Sequence, residues 1–164
     1  MKITDIYYLN SRGEKLNLLS PPYQLQTANL FDYSWDYSSI ARRRRGQITA
    51  FARGITTFTL LLGVNGRSEK LYRDAIDRFY EVTEYDLLNL TPGRLYVGEF
   101  YINCYIKSSK KTDWEWGIET LDNEIEVIAD YPHWCREKEY HFYMSSQSVI
   151  DENVKEESDN IIGN

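Results

Sequence analysis

Soft-metal and thiol chemistry has little to work with in this 164-residue chain, which holds two cysteines, Cys104 and Cys135, and two histidines, His133 and His141. The cysteines form no CxxC pair, and the histidines do not stand at metal-ligand spacing from them, so free thiols are expected and a metal site is not. Motifs of the G-x-G-x-x-G, G-x-x-x-x-G-K, H-E-x-x-H and G-x-S-x-G types are missing, which removes the common nucleotide cradles, zinc proteases and nucleophile elbows. Carboxylates are plentiful, but Asp122, Glu124 and Glu126 alternate along a strand and read as a wetted face. No catalytic residue and no cofactor is expected. Long apolar runs are lacking too. The start, MKITDIYYLN, does not read as a signal peptide, and no stretch approaches the length of a membrane span, so the expectation is assembly in the cytoplasm with no membrane partner.

A surplus of positive charge is also missing. Lys and Arg number 19 against 25 Asp and Glu, a net charge of −6. Residues 137 to 164 hold seven acidic and two basic side chains, a net −5, which leaves −1 for residues 1 to 136. A nearly neutral body argues against nucleic-acid binding as the main role. The acidic stretch from 145 to 164, without aromatics, is expected to be a largely disordered tail or linker.

Aromatics are what the chain has in quantity: 15% of residues, with 14 tyrosines. That favours strands and interfaces over a helical bundle, and the length suffices for one domain with a real core. Strands are predicted from Lys2 to Leu9 and Lys15 to Leu19, joined by the turn Asn10-Ser11-Arg12-Gly13. Tyr23 to Thr27 follows Pro21-Pro22 as an edge strand. Phe31 to Ser38 alternates Phe31, Tyr33, Trp35 and Tyr37 with Asp and Ser, and predicts a strand whose aromatic face is core. Gln47 to Arg53 and Ile55 to Val64 follow, the second apolar on both faces and therefore central.

Ser68 is a good N-cap for a helix with an apolar stripe of Leu71, Ala75, Ile76, Phe79, Tyr80 and Val82, and Glu84 to Leu90 is expected to leave it. Arg94 to Val97, Gly98 as a tight turn, then Phe100, Ile102, Cys104 and Ile106 facing inward make the next strands, with Cys104 in the core. Tyr101 and Tyr105 point outward, as on a scaffold that binds other protein. A polar loop with Trp114 and Trp116 leads to the alternation of Leu121, Asn123, Ile125, Val127 and Ala129, and Pro132 closes the unit. Tyr140 to Tyr143 could add a short strand. The whole reads as mainly β with one α-helix (α+β), a β-sandwich or split barrel with the helix against one sheet.

Arg42, Arg43, Arg44 and Arg45 form a run before Gly46, between strands, hence in a loop or at a hairpin tip. Three readings stand for it: a solvated loop, a salt-bridging loop between subunits, or a nucleic-acid or nuclear-address patch.

Several phrases taken in order, IYYLNSRGEKLNLLSPPYQL, LFDYSWDY, FTLLLGV, SEKLYRDAIDRFYEVTEYDLLN, TPGRLYVGEFYINCYI and ADYPHW, resemble the N-terminal ring-forming domain of the distal tail protein (Dit) family of long-tailed phages and prophages of Gram-positive bacteria. The resemblance covers roughly residues 1 to 136. It implies a tail-tube-like fold and a structural hub in the baseplate or tail tip of the virion. Family members form a six-fold ring, a hexamer, that joins the tail tube protein to tail-associated hub and tail-tip proteins. It favours the subunit-interface reading of Arg42 to Arg45. Larger members carry a galectin-like sandwich after the segment that ends near Trp134. The alternative from another class is a carbohydrate- or host-surface-binding β module of a tail tip.

Overall fold

A computed structural model describes residues 5–111 and 120–138. The Trp114 and Trp116 loop, the strand expected at Tyr140 to Tyr143, and the tail from 145 to 164 lie outside the described residues. The elements are β1 (Ile6–Leu9), β2 (Lys15–Asn17), β3 (Tyr23–Ala28), β4 (Asp36–Arg42), β5 (Arg45–Ala52), β6 (Thr56–Asn65), α1 (Glu69–Asn89), β7 (Gly93–Val97), β8 (Phe100–Lys111), β9 (Thr120–Ala129) and β10 (Cys135–Arg136). One antiparallel sheet runs in the order β2-β1-β7-β8-β9-β6-β3, with β10 on β8, while β4 and β5 pair with each other alone.

The order follows from pattern and turn chemistry. Gly98, at φ 60, takes the left-handed turn that folds β8 back on β7. β8 is long enough to serve two neighbours: its first half pairs with β7 and its second with β9, with a register break between Ile106 and Ser108. A bulge of this kind bends the strand, and α1 packs against β8, β6 and β2. The chain after β2 reaches β3, where Leu25 N–H donates to Leu18 O at 2.7 Å. Among the described residues the result is a mainly β, antiparallel fold with one helix and no closed barrel, in line with the α+β expectation. β6 is central and β3 is an edge, both as predicted.

Alternation delivers the core. Phe58, Leu60, Leu62 and Val64 of β6, Ile102, Cys104 and Ile106 of β8, and Leu121, Ile125, Val127 and Ala129 of β9 are buried in one cluster. Ser68 caps α1, its hydroxyl accepting from Leu71 N–H at 3.2 Å, and Glu69 sits in the first turn where the helix dipole favours an anion.

Two expectations are corrected here. The helix does not leave at Glu84 but runs to Asn89, and Leu90 at φ 49 ends it. Its buried stripe continues through Thr83 and Asp86, polar residues that carry the period but not the hydropathy: Thr83 Oγ satisfies itself on Phe79 O at 2.9 Å. Tyr72, not Leu71, takes the first core position, because the stripe 72-75-76-79-82-83-86 leaves Leu71 one step round the helix and 52% exposed, and it leaves Tyr80 exposed beside Phe79. The second correction concerns Phe31 to Ser38. Phe31 has φ 65, which breaks the extended run, and the strand starts only at Asp36. Phe31, Tyr33, Trp35 and Tyr37 are all exposed, not core.

Burial pushes the Cys104 thiol up, from 9.0 to about 12, and the Tyr23 hydroxyl up to about 12. Both groups stay protonated in the folded chain over a range where the unfolded chain would ionise. Their contribution is therefore full below the unfolded values and lost as pH rises toward about 12. For Cys104 alone the loss between pH 8 and 10.5 is about 2 kcal/mol. Urea midpoints measured across that range should fall, and the fall should be shallower in Cys104→Val. An unchanged slope in that variant would mean another group drives the alkaline loss.

Candidate subunit interface

Two polar features stand out, one sealed and one open. The sealed one lies where the β1–β2 turn meets α1. Asp86 is fully buried and accepts from Tyr8 Oη at 2.5 Å, Ser11 Oγ at 2.6 Å and Ser11 N–H at 2.8 Å. Tyr8 is itself fully buried, and desolvation together with the bond to Asp86 raises its hydroxyl pKa. Asn10 adds a bond from Nδ2 to Val82 O at 3.1 Å, and its Oδ1 accepts from Glu14 N–H at 2.8 Å. Gly93 closes the cluster, since a Cβ there would collide with Tyr8 Oη and Asp86 Oδ2. The Tyr8 and Ser11 donors converge on the Asp86 carboxylate and Asn10 ties the turn to the Val82 carbonyl, so this is a lock between hairpin and helix. Sequence reading missed Asp86. The signal was available in its place three and four residues beyond Thr83 and Val82 on the buried stripe.

The open feature is the arm formed by β4 and β5. All residues from Asp36 to Ala52 are exposed. The register pairs Tyr37 with Phe51, Ser39 with Ile48 and Ala41 with Gly46, with a bulge between Ser38 and Ser39. Paired residues share a face, so Tyr37, Phe51, Ile48 and Ala41 form one apolar face along the arm. Asp36, Ser38, Ile40 and Arg42 line the other with Ala52, Ala50, Gln47 and Arg45.

Arg42 lies opposite Arg45, and Arg43 and Arg44 make the turn. The predicted run thus sits at a hairpin tip, where four like charges crowd together. None of the four makes an ion pair among the described residues. A two-stranded hairpin without further support is marginally stable in water, and this one bears large apolar side chains on one face. Its outgoing root, the chain leading into β4, is pinned by Phe31, whose ring centroid lies 4.4 Å from that of Trp134 and meets Phe100 edge-on at 6.2 Å.

The remaining predicted residues fall as follows. Cys104 is buried and Cys135 half-buried, both free. His133 Nδ1 lies 3.1 Å from Arg53 Nη1. Tyr101 stands in a cross-strand row with Tyr96 and Tyr7, ring centroids 5.3 and 4.6 Å apart, capped by Arg94 and Lys15. Among the described residues no helix is long and apolar enough to cross a membrane.

An antiparallel α+β fold with an exposed β-arm is the class that these features define. No family model and no curated protein sequence matches the chain. Among solved structures it is similar to the crystal structure of SPP1 Dit (gp 19.1), described as a paradigm of the hub adsorption apparatus in Gram-positive infecting phages. Identity is 14%, the TM-score is 0.61, and the match covers 80% of this chain and 51% of that one. The chain thus spans about half the length of that protein, and the likeness is one of fold.

Proposed function

We propose that this chain is a structural subunit of a phage tail that assembles with copies of itself into a ring, six-fold in the favoured form, between tail tube and tail tip. The observation that carries the reading is the arm. Its apolar face and its four arginines have no partner within the described chain, and a second copy supplies both an apolar surface and acidic groups from a body of opposite net charge. The fold shared with a phage hub protein supports the setting. On this reading the chain belongs to the virion, and its further partners are the tail tube protein and the tail-tip proteins. The carbohydrate-binding alternative would use open aromatic faces, of which Tyr37 and Phe51 on the arm are an exposed cross-strand pair, but both stand on the apolar face assigned here to a second copy. Tyr33 and Trp35 are exposed, but the Arg53 guanidinium lies over both rings at 5.7 and 4.8 Å. Tyr96 in the tyrosine row is covered by its neighbours.

Light scattering over a concentration series tests the reading. The parent chain should grow beyond the monomer, and replacing Arg42, Arg43, Arg44 and Arg45 with Ser should weaken assembly and flatten its salt dependence. Stability of the protomer should change by less than about 1 kcal/mol, because the tip has no core to lose. A strict monomer at every concentration, also with any domain that follows restored, removes the ring. Unfolding on Arg-to-Ser replacement with no effect on assembly removes the tip from the interface.

A further inference from the structure

We infer that Arg53 is the positioning residue that sets the direction of the arm. The inference deepens the assembly reading and rests on it for its purpose, but its geometry stands in a single protomer. Among the described residues β4 and β5 pair with no other strand, so strand pairing does not fix where the arm points. Direction must be set at the two roots, residues 29–35 going out and 53–55 coming back. Arg53 is the first residue after β5. Its guanidinium lies over Trp35 and Tyr33, both on the outgoing root. Its Nη1 donates to Pro132 O at 3.1 Å and faces His133 Nδ1 at the same distance. One side chain therefore ties the returning root to the outgoing root and ties both to the loop that follows β9.

The neighbourhood fits this role. Gly54 passes so near the start of β4 that a Cβ there would come within 2.8 Å of Asp36 Oδ2. Phe31 against Trp134 fixes the outgoing root to the same loop a second time. Arg53 Nε is buried with no acceptor among the described residues, so stacking and Nη1 hold the group. A lysine could keep the charge but not the plane that stacks on two rings while a separate donor reaches Pro132.

The test measures the arm in the monomer and assembly separately. Spin labels at Gln47→Cys on the arm and Asp77→Cys on α1, in a Cys135→Ser background of the full chain, report the arm's distance distribution by electron–electron resonance at low concentration. The parent should give one narrow distribution. Arg53→Ala and Arg53→Lys should each broaden it at least twofold, with the circular dichroism and melting of the sheet retained. Trp35→Leu, which removes a stacked ring without touching the charge, should broaden it as well. The half-assembly concentration should then rise at least tenfold in the Arg53 variants. An equally narrow distribution in Arg53→Lys and Trp35→Leu overturns the inference. If the parent never assembles, the ring reading fails, while the width of the distribution still decides the role of Arg53.

Discussion

Asp86→Ala should lower the stability of the fold by about 4 kcal/mol, the largest loss expected from a single side chain here. The carboxylate is fully buried and holds three donors. Alanine would leave the fully buried Tyr8 hydroxyl without an acceptor, at about 1–3 kcal/mol, and remove two further bonds from the exposed Ser11, at about 0.5–1.5 kcal/mol each. At this chain length about 2–4 °C of melting temperature goes with each kcal/mol, so a drop of roughly 10 °C or more is expected. Tyr8→Phe should cost less, about 1–2 kcal/mol, because the carboxylate keeps both Ser11 donors. The double variant should fall short of the sum, since the two side chains share one bond. A melting temperature within about 2 °C of the parent for Asp86→Ala would show that the hairpin is not locked to the helix through this group.

Replacing Tyr37, Ile48 and Phe51 together with Ser should do the reverse: spare the protomer and abolish assembly. The three side chains are 65, 53 and 61% exposed, so the core loses little. Covering such side chains in an interface is worth about 1.5–3 kcal/mol each. Even the low end, about 4 kcal/mol for the three, shifts the half-assembly concentration by roughly a thousandfold. Sedimentation at concentrations where the parent is assembled should find monomer, with the urea midpoint of the sheet nearly unmoved. Assembly at the parent's concentration would mean that the arm's apolar face is not the surface that partners cover.

Much of the scaffold was legible because its signals are local. Alternation at Phe100 to Ile106 and Leu121 to Ala129 gave both strands and faces correctly, including Asn123 turned inward. The Ser68 cap and the hairpin tip at Arg42 to Arg45 also came from neighbours in sequence. What was misread depends on partners far away. Asp86 counts as a core residue only because Tyr8 and Ser11 come to it. The aromatics of Phe31 to Tyr37 alternate like a core strand, yet they cover a hinge and an arm. Alternation reports that one face avoids water; it does not report whether the same chain or another molecule supplies the cover. β10 was not anticipated either, two residues being too short to carry a pattern.

The pairing of β1 with β7 has a consequence for how the chain is made. Tyr8 and Asp86 stand 78 positions apart, and β6 finds its second neighbour only when β9 has been synthesised. The central sheet is built from distant contacts, which close slowly and late. During translation β6 therefore waits with an open edge, the condition in which nascent chains stick to one another. The local hairpins are the exceptions, since β4 meets β5 and β7 meets β8 each across a turn of two residues. The hairpins can thus form early, while β6 gains its second neighbour only when β9 emerges from the ribosome.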